Sequence, residues 1–177
     1  DGLGMVMSNM IITDLSNYIH PRKIIFMERI QLNKILDEQN LQSTKRFDQS
    51  SAVEFGHLSG VEYVIIGSVY VLDESCNITA RLVDVATSQI IFSKDISGVV
   101  ENWLNMKTKI VESIANSLNN PIKVEDEFNT TIGSEGLLLQ YSNILKEIDR
   151  GNTVEAQKIT DMLIAVIPDF KYLEEIK

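Results

Sequence analysis

The stretch VEYVIIGSVYVLDESCNITARLVDVATSQIIFSKDISG, residues 61–98, decides the fold of this chain. It holds three runs rich in β-branched and aromatic residues, separated by the polar turns DES and ATSQ, and so predicts a three-strand antiparallel meander. The first run, residues 61–72, is apolar on both faces through its middle, which is typical of a central strand. In the second run Ile78, Ala80 and Leu82 alternate with polar residues, which indicates one buried face.

Two helices and a short strand are predicted before the meander. Apolar residues recur at helical spacing over residues 3–18, which predicts one helix packed on the sheet. His20 and Pro21 end this helix, because the residue before a proline is pushed out of the helical region. Residues 23–27 are predicted as a short strand, and helical spacing resumes over residues 28–40.

Two further helices flank the meander itself. Ser51 and Glu54 fit a capping box that opens a short helix, in which Gly56 marks a close approach and Gly60 marks the end. After the meander, residues 99–119 carry an apolar stripe at helical spacing. The order of elements therefore predicts an α/β (α+β) fold, a mixed sheet with a three-strand antiparallel meander flanked by helices.

The last part of the chain reads as a small α-helical hairpin. Helices are predicted over residues 134–149 and 153–167, joined by the turn RGN and stopped by Pro168. The spacing from the small residue Ala156 to Pro168 resembles one tetratricopeptide (TPR) repeat. One hairpin cannot bury its own apolar face, so either it docks on the first domain or further repeats follow Lys177.

These elements predict three regions. Residues 1–120 form an α/β domain, residues 121–133 form a linker, and residues 134–177 form the TPR-like hairpin. The first helix starts within a few residues of Asp1, so we expect the given sequence to be part of a longer precursor.

Composition excludes several functional classes. The chain of 177 residues has a net charge of −9, which is the wrong sign for a nucleic-acid surface. Cys76 is the only cysteine, which excludes an intrachain disulfide framework and a thiolate zinc cluster. No apolar run approaches the roughly 18 residues of a membrane span.

The motifs that suggest chemistry are all incomplete. Gly2 and Gly4 lack the third glycine and the preceding strand of a dinucleotide-binding loop. Ser59 follows a helix, whereas a nucleophile elbow places its serine after a strand. His20 and His57 lie far apart in sequence, and neither has an acidic residue at metal-ligand spacing. The sequence thus predicts no catalytic, cofactor-binding or metal-binding residue, and the partner-binding residues stay unknown.

The charged pair Glu28 and Arg29 admits two readings. A charged pair at the carboxyl end of a strand lies where α/β proteins often bind ligands. Alternatively, Glu28 complements the dipole of the helix that it opens, and Arg29 bonds Asn33 or a nearby carboxylate. We favour the structural interpretation.

Three phrases together resemble a known family. They are MERIQLNKILDEQNLQ (27–42), SSAVEFGHLSGVEYVIIGSV (50–69) and ITARLVDVATSQIIFSKDISG (78–98). They are similar to the curli-secretion component (CsgG-like) family and its relatives, the envelope lipoproteins that activate penicillin-binding proteins. The matching residues are Glu28, Arg29, Leu32, Ile35, Leu36, Glu38, Gln39, Gly67, Arg81, Asp84 and Thr87.

The sequence departs from that family in two places. Ser88 replaces the usual turn glycine, which puts the shape of that turn in doubt. No long amphipathic hairpins interrupt the domain, and the resemblance assigns the membrane barrel of the curli channel to such hairpins. Pore formation is therefore not expected.

The resemblance implies a non-enzymatic envelope module that works in assembly, secretion or regulation. It would lie on the periplasmic side of a bacterial outer membrane, tethered by an upstream lipid, and would bind protein partners or form a homo-oligomer, with no cofactor. The resemblance also implies that the first strand of the domain lies upstream of Asp1. Two alternatives remain. One is a small-molecule-binding or hydrolytic α/β domain that uses Glu28, Arg29 and a histidine, and the other is a TPR scaffold adaptor.

Overall fold

The structure of the protein is a computed structural model that describes residues 2–27, 49–124, 134–168 and 170–173. The elements, in chain order, are helix α1 (Gly2–Tyr18), helix α2 (Gln49–Ser59), strands β1 (Tyr63–Leu72), β2 (Ser75–Asp84) and β3 (Gln89–Val99), a 3-10 turn (Val100–Asn102), helix α3 (Trp103–Ser117), helix α4 (Ser134–Asp149), helix α5 (Thr153–Val166) and a 3-10 turn (Lys171–Leu173). The α+β fold with a three-strand antiparallel meander, flanked by helices and followed by a helical hairpin, is confirmed.

The described sheet has the order β1-β2-β3, and both pairings are antiparallel. In this part of the chain β2 is the central strand, so the prediction that residues 61–72 form a central strand is wrong. The start of β1 is apolar on both faces because α2 covers its second face: a Cβ at Gly56 would meet Val64 and Val85 side-chain atoms at 3.1 Å or less. The predicted close approach at Gly56 is confirmed.

One face of the sheet, here called the inner face, lies against the main core. Cys76, Ile78 and Ala80 of β2 are buried there, as the alternation of β2 predicts. Buried side chains from α1 and α3 join the same core: Val6, Met7, Met10, Ile11, Leu15, Trp103, Met106, Ile110, Val111 and Ile114. The opposite, outer face is covered near the start of β1 by α2.

The helical hairpin packs on the rest of the molecule through the same core. The bounds of α4 match the prediction, and α5 ends one residue before it. The turn between them uses Gly151 at φ +77°, and Ala156 is buried between the helices. Leu137, Tyr141 and Ile144 of α4 belong to the core that contains α1. In the described residues, the hairpin therefore buries its apolar face by docking on the α/β part of the chain, which is the first of the two alternatives.

Two local predictions fail. Residues 21–23 form a turn and residues 24–27 form no strand, because the chain bends at Pro21 and Lys23 N–H donates to the His20 carbonyl oxygen at 2.8 Å. Helix α2 begins at Gln49, so Ser51 lies in its first turn rather than at its cap. The predicted helix over 28–40 and residues 125–133 of the predicted linker lie outside the described residues.

A buried polar network joins three segments that are distant in sequence. Lys107 Nζ of α3 lies 2.6 Å from Asp14 Oδ2 of α1, and both side chains are 0% exposed. Lys107 Nζ also lies 2.7 Å from the Tyr172 hydroxyl, which is 3.0 Å from both oxygens of Asp14. Such a pair is tolerated in a core only when both charges are fully hydrogen-bonded, as they are here.

We predict that Lys107→Met lowers the free energy of unfolding by about 3–5 kcal/mol, because it leaves the Asp14 carboxylate buried without its cation. Adding Asp14→Asn should recover much of that loss, because the neutral amide still accepts from Tyr172. Urea unfolding followed by circular dichroism measures both. Lys109→Met, on the exposed side of the same helix, is the matched control. Equal losses at positions 107 and 109 would contradict the assignment.

The turn between β2 and β3 holds a non-glycine residue in a glycine conformation. Ser88 has φ +58°, and its carbonyl oxygen accepts from Gln49 Nε2 at 2.8 Å. The backbone at Ser88 is therefore left-handed, although a side chain there raises the energy of that conformation.

Replacing Ser88 with glycine should raise the free energy of unfolding by about 0.5–1 kcal/mol, since the left-handed strain is removed. Ser93→Gly is the control, because Ser93 lies in the extended interior of β3, where glycine should destabilise by about the same amount. Thermal and urea unfolding measure the free energy of unfolding, which should rise in Ser88→Gly and fall in Ser93→Gly. A lower free energy of unfolding in Ser88→Gly would show that the backbone at Ser88 is not strained.

Candidate protein-binding surface

The structure gives the candidate catalytic residues ordinary structural places. Ser59 Oγ lies 2.9 Å from the Phe55 carbonyl oxygen and donates to it. His20 Nδ1 accepts from the Arg22 N–H at 3.1 Å, and His57 is exposed near the end of α2. Glu28 and Arg29 lie outside the described residues, so their two readings remain open.

Two family-matching residues, Asp84 and Thr87, hold the β2–β3 turn. Asp84 Oδ1 accepts from the Thr87 N–H at 2.8 Å and from the Thr87 hydroxyl at 2.9 Å. These hydrogen bonds, first of all the one from the backbone, lower the pKa of the Asp84 carboxyl. Arg81, another match, is exposed on the outer face of the sheet.

Gly67, one of the residues that carry the sequence resemblance, lies where two strands approach closely. A Cβ at this position would lie 2.3 Å from the Thr79 carbonyl oxygen on the neighbouring strand. The backbones of β1 and β2 therefore approach too closely here for any other residue, which explains a glycine inside a strand.

Within the described residues, no group of three or more histidine, cysteine, aspartate and glutamate side chains is arranged to hold a metal ion. Cys76 is buried on the inner face of the sheet, and burial raises the pKa of its thiol.

The outer face of the sheet carries an exposed apolar cluster at the end away from α2. Tyr70 is 62% exposed, Leu72 57% and Val99 47%. Ser75 of β2 pairs with both Leu72 and Val99, and Tyr70 lies two residues before Leu72 on the same face, so the three side chains belong to neighbouring rows. We call Tyr70, Leu72 and Val99 the tip patch.

Carboxylates surround the tip patch. Asp73 and Glu74 form the turn that follows Leu72, Glu101 lies two residues after Val99, and Asp95 lies two rows along the outer face. The patch therefore combines an apolar centre with a rim of acidic residues.

The polar side chains next to the patch are tied to each other. Asn77 Nδ2 lies 2.6 Å from Asp95 Oδ1 and 2.9 Å from Ser97 Oγ, and the hydroxyls of Ser68 and Thr79 lie 2.8 Å apart. Cross-strand bonds of this kind fix the side chains before a partner arrives. A preorganised surface loses less side-chain entropy on binding than a mobile one.

Sequence reasoning did not identify the tip patch, although a signal was present. Tyr70 and Leu72 occur at alternate positions of β1, which places both on one face of any strand. The apolar character of both β1 faces instead suggested burial in the middle of the sheet.

Comparison with known families identifies the amino-terminal part of the chain. Residues 2–77 match the family model "Curli production assembly/transport component CsgG". The match covers less than half of the chain, and over this segment the chain is similar to that family. The resemblance predicted from the sequence is thereby confirmed for α1, α2, β1 and the first residues of β2, a segment that includes Tyr70 and Leu72.

Comparison with solved structures and curated proteins gives partial matches. The LpoB C-terminal domain from Salmonella enterica is 20% identical, with 41% of this chain and 55% of that chain covered and a TM-score of 0.36. Proteins named "Putative pre-16S rRNA nuclease" from Rickettsia rickettsii (strain Sheila Smith) and Rickettsia conorii (strain ATCC VR-613 / Malish 7) are 34% identical over 77 residues. These residues are 44% of this chain and 49% of each relative, so the chain spans about half the length of the curated relatives it matches.

The lowered pKa of Asp84 predicts a pH dependence of stability. The carboxylate stabilises the fold above the ordinary aspartate pKa, and this contribution is lost as the pH falls through the lower pKa of the folded state. Asp84→Asn should therefore be less stable than the unsubstituted chain at pH 7, and the difference should shrink towards about pH 3.

Urea unfolding at several pH values measures this difference directly. Asp73→Asn, in the other hairpin turn, controls for the loss of one negative charge. A difference between the unsubstituted chain and Asp84→Asn that stays constant between pH 7 and about pH 3 would exclude the lowered pKa as its cause.

Proposed function

We propose that this chain is a non-enzymatic module of a bacterial cell envelope that acts in assembly, secretion or regulation by binding a protein partner. The CsgG-like match over residues 2–77 supports the envelope setting, because the matching family model describes an assembly and transport component. The tip patch is the observation that carries the binding role.

Exposing the apolar side chains of the tip patch to water costs free energy. Tyr70, Leu72 and Val99 lie in neighbouring rows of the outer face, where an isolated chain leaves them in water, and apolar areas with a polar rim mark interaction surfaces. Tyrosine is also enriched among the residues that dominate binding energies. The acidic rim favours a partner that presents an apolar side chain flanked by lysine or arginine.

The proposed location is the periplasmic side of the outer membrane, with attachment through a lipid upstream of residue 1. None of the helices in the described part of the chain combines the length and apolar character that a membrane span requires. Homo-oligomer formation is proposed as a second mode of action, and no nucleic-acid partner is proposed.

A second candidate function comes from the Rickettsia relatives, whose names describe a putative nuclease for pre-16S rRNA. An RNA-processing role would need a surface that attracts phosphates, and the net charge of −9 opposes it. Incubating the full chain with a structured RNA and divalent cations separates the two candidates: cleavage would favour the nuclease, and intact RNA would favour the binding module.

The binding proposal predicts a specific crosslink in living cells. A photoreactive phenylalanine analogue in place of Tyr70 should capture a discrete envelope protein, and the product should appear in the envelope fraction. Adding Leu72→Ser should reduce the yield at least tenfold, because truncating a central apolar contact typically costs about 2 kcal/mol of binding. Stability should change by about 0.5 kcal/mol or less, since Leu72 is exposed.

Ile25 provides the matched control, because it is an apolar side chain that is 86% exposed outside the sheet. The same photoreactive residue at position 25 should give no discrete product, and Ile25→Ser should not alter the product formed at position 70. Crosslinking that is equal at both positions, or that is insensitive to Leu72→Ser, would contradict the assignment of the tip patch.

A further inference from the structure

Helix α5 exposes a regular stripe on the side that faces away from α4. Val154, Lys158, Asp161 and Ala165 are all exposed and follow one another at intervals of four, three and four residues. The opposite side of the helix, with Ala156, Thr160 and Leu163, is buried. A shallow groove borders the stripe and is lined by Thr153, Val154, Gln157, Lys158, Asp161 and Met162.

The 4-3-4 spacing is the spacing of a coiled-coil seam. Residues at such intervals lie in one line along a helix and interlock with the same line on a second helix. Val154, at 84% exposure, gives this seam apolar area, and Met162, at 55%, lies beside the seam. Its middle is occupied by one cation, Lys158, and one anion, Asp161.

The charges make the stripe complementary to itself in one orientation. When two copies of α5 run antiparallel about a two-fold axis, Lys158 of each copy lies opposite Asp161 of the other, and Val154 lies opposite Ala165. A parallel pair would instead place Lys158 against Lys158 and Asp161 against Asp161. Charged residues at seam positions are known to select orientation in this way.

We propose that α5 is a self-association surface through which two copies of this chain pair antiparallel, with Lys158 and Asp161 forming two reciprocal ion pairs. The contacts that these side chains make within one chain are exposed and exchangeable. Lys158 Nζ lies 3.5 Å from Glu155 Oε1, and Gln157 Nε2 donates to Asp161 Oδ1 at 2.9 Å. Exposed pairs of this kind contribute little stability and can rearrange.

The expected dimer is weak. Helix α5 has 14 residues and so offers a contact line about 21 Å long. An interface of this length falls at the low end of specific interfaces, and its dissociation constant should be of the order of 10–500 μM. The tip patch lies on β1 and β3, so failure of this dimer would leave the partner-binding proposal standing.

The first test exchanges the charges. Sedimentation equilibrium of the full chain, from about 10 μM to 1 mM, should detect a monomer–dimer equilibrium. Lys158→Asp alone, or Asp161→Lys alone, should weaken it at least tenfold, because each places like charges opposite one another twice. The double variant Lys158→Asp/Asp161→Lys should restore it, and an equimolar mixture of the two single variants should form heterodimers.

The second test reads the orientation. In the antiparallel pair, position 154 faces position 165 of the other copy and lies about 16 Å along the axis from position 154 of that copy. Val154→Cys and Ala165→Cys should therefore form disulfide-linked dimers when mixed under oxidising conditions, and much less when separate. The unsubstituted chain is the blank, since its single cysteine, Cys76, is buried.

Three outcomes would overturn the proposal. They are a strict monomer at 1 mM, single charge variants that associate as well as the unsubstituted chain, and efficient disulfide formation by Val154→Cys alone, which would indicate a parallel pair. Circular dichroism of each variant shows whether α5 is intact, and folded variants are expected because every substituted side chain is exposed.

Discussion

The ion pair between Asp14 and Lys107 is the constraint on which the rest of the structure depends. Both groups are removed from water, and an unpaired charge at such depth would destabilise the fold by several kcal/mol. The pair therefore fixes α1 against α3, and the hydroxyl of Tyr172 ties the chain after α5 to both. Helix α4 joins the same network, because the Tyr141 hydroxyl accepts from Asn9 and donates to the Tyr172 carbonyl oxygen.

This network explains how the helical hairpin relates to the sheet. Three aromatic rings, those of Tyr141, Phe170 and Tyr172, pack edge to face or tilted with centroids 5.2–6.4 Å apart, directly beside the ion pair. Aromatic rings bury much apolar area, and the Tyr172 hydroxyl also bonds both buried charges. The hairpin thus packs on the rest of the molecule through hydrogen bonds and aromatic contacts. These contacts depend on orientation and so fix the position of the hairpin more specifically than apolar contacts alone.

Local patterns predicted the elements because helices and strands are periodic, and the alternation of Ile78, Ala80 and Leu82 gave the buried face of β2 correctly. Burial of Lys107 could not be predicted, because lysine is rarely buried and its partner Asp14 lies 93 positions earlier in the chain. The tip patch escaped prediction for a related reason. The apolar residues on the outer face of β1 made it resemble a central strand, but they lie in two different environments. Val64 is covered by α2, whereas Tyr70 and Leu72 are exposed to solvent.

The contact between Asp14 and Tyr172 spans 158 positions, nearly the whole chain. During synthesis, α1 is made long before Lys107 and Tyr172. The Asp14 carboxylate therefore lacks its final partners until those residues have been added. Long-range closure of this kind slows folding, because the chain must lose loop entropy before the contact can form. The 3-10 turn Lys171–Leu173 therefore completes the packing of α1, and the segment that matches the CsgG family model reaches this packing only after residue 173 has been made.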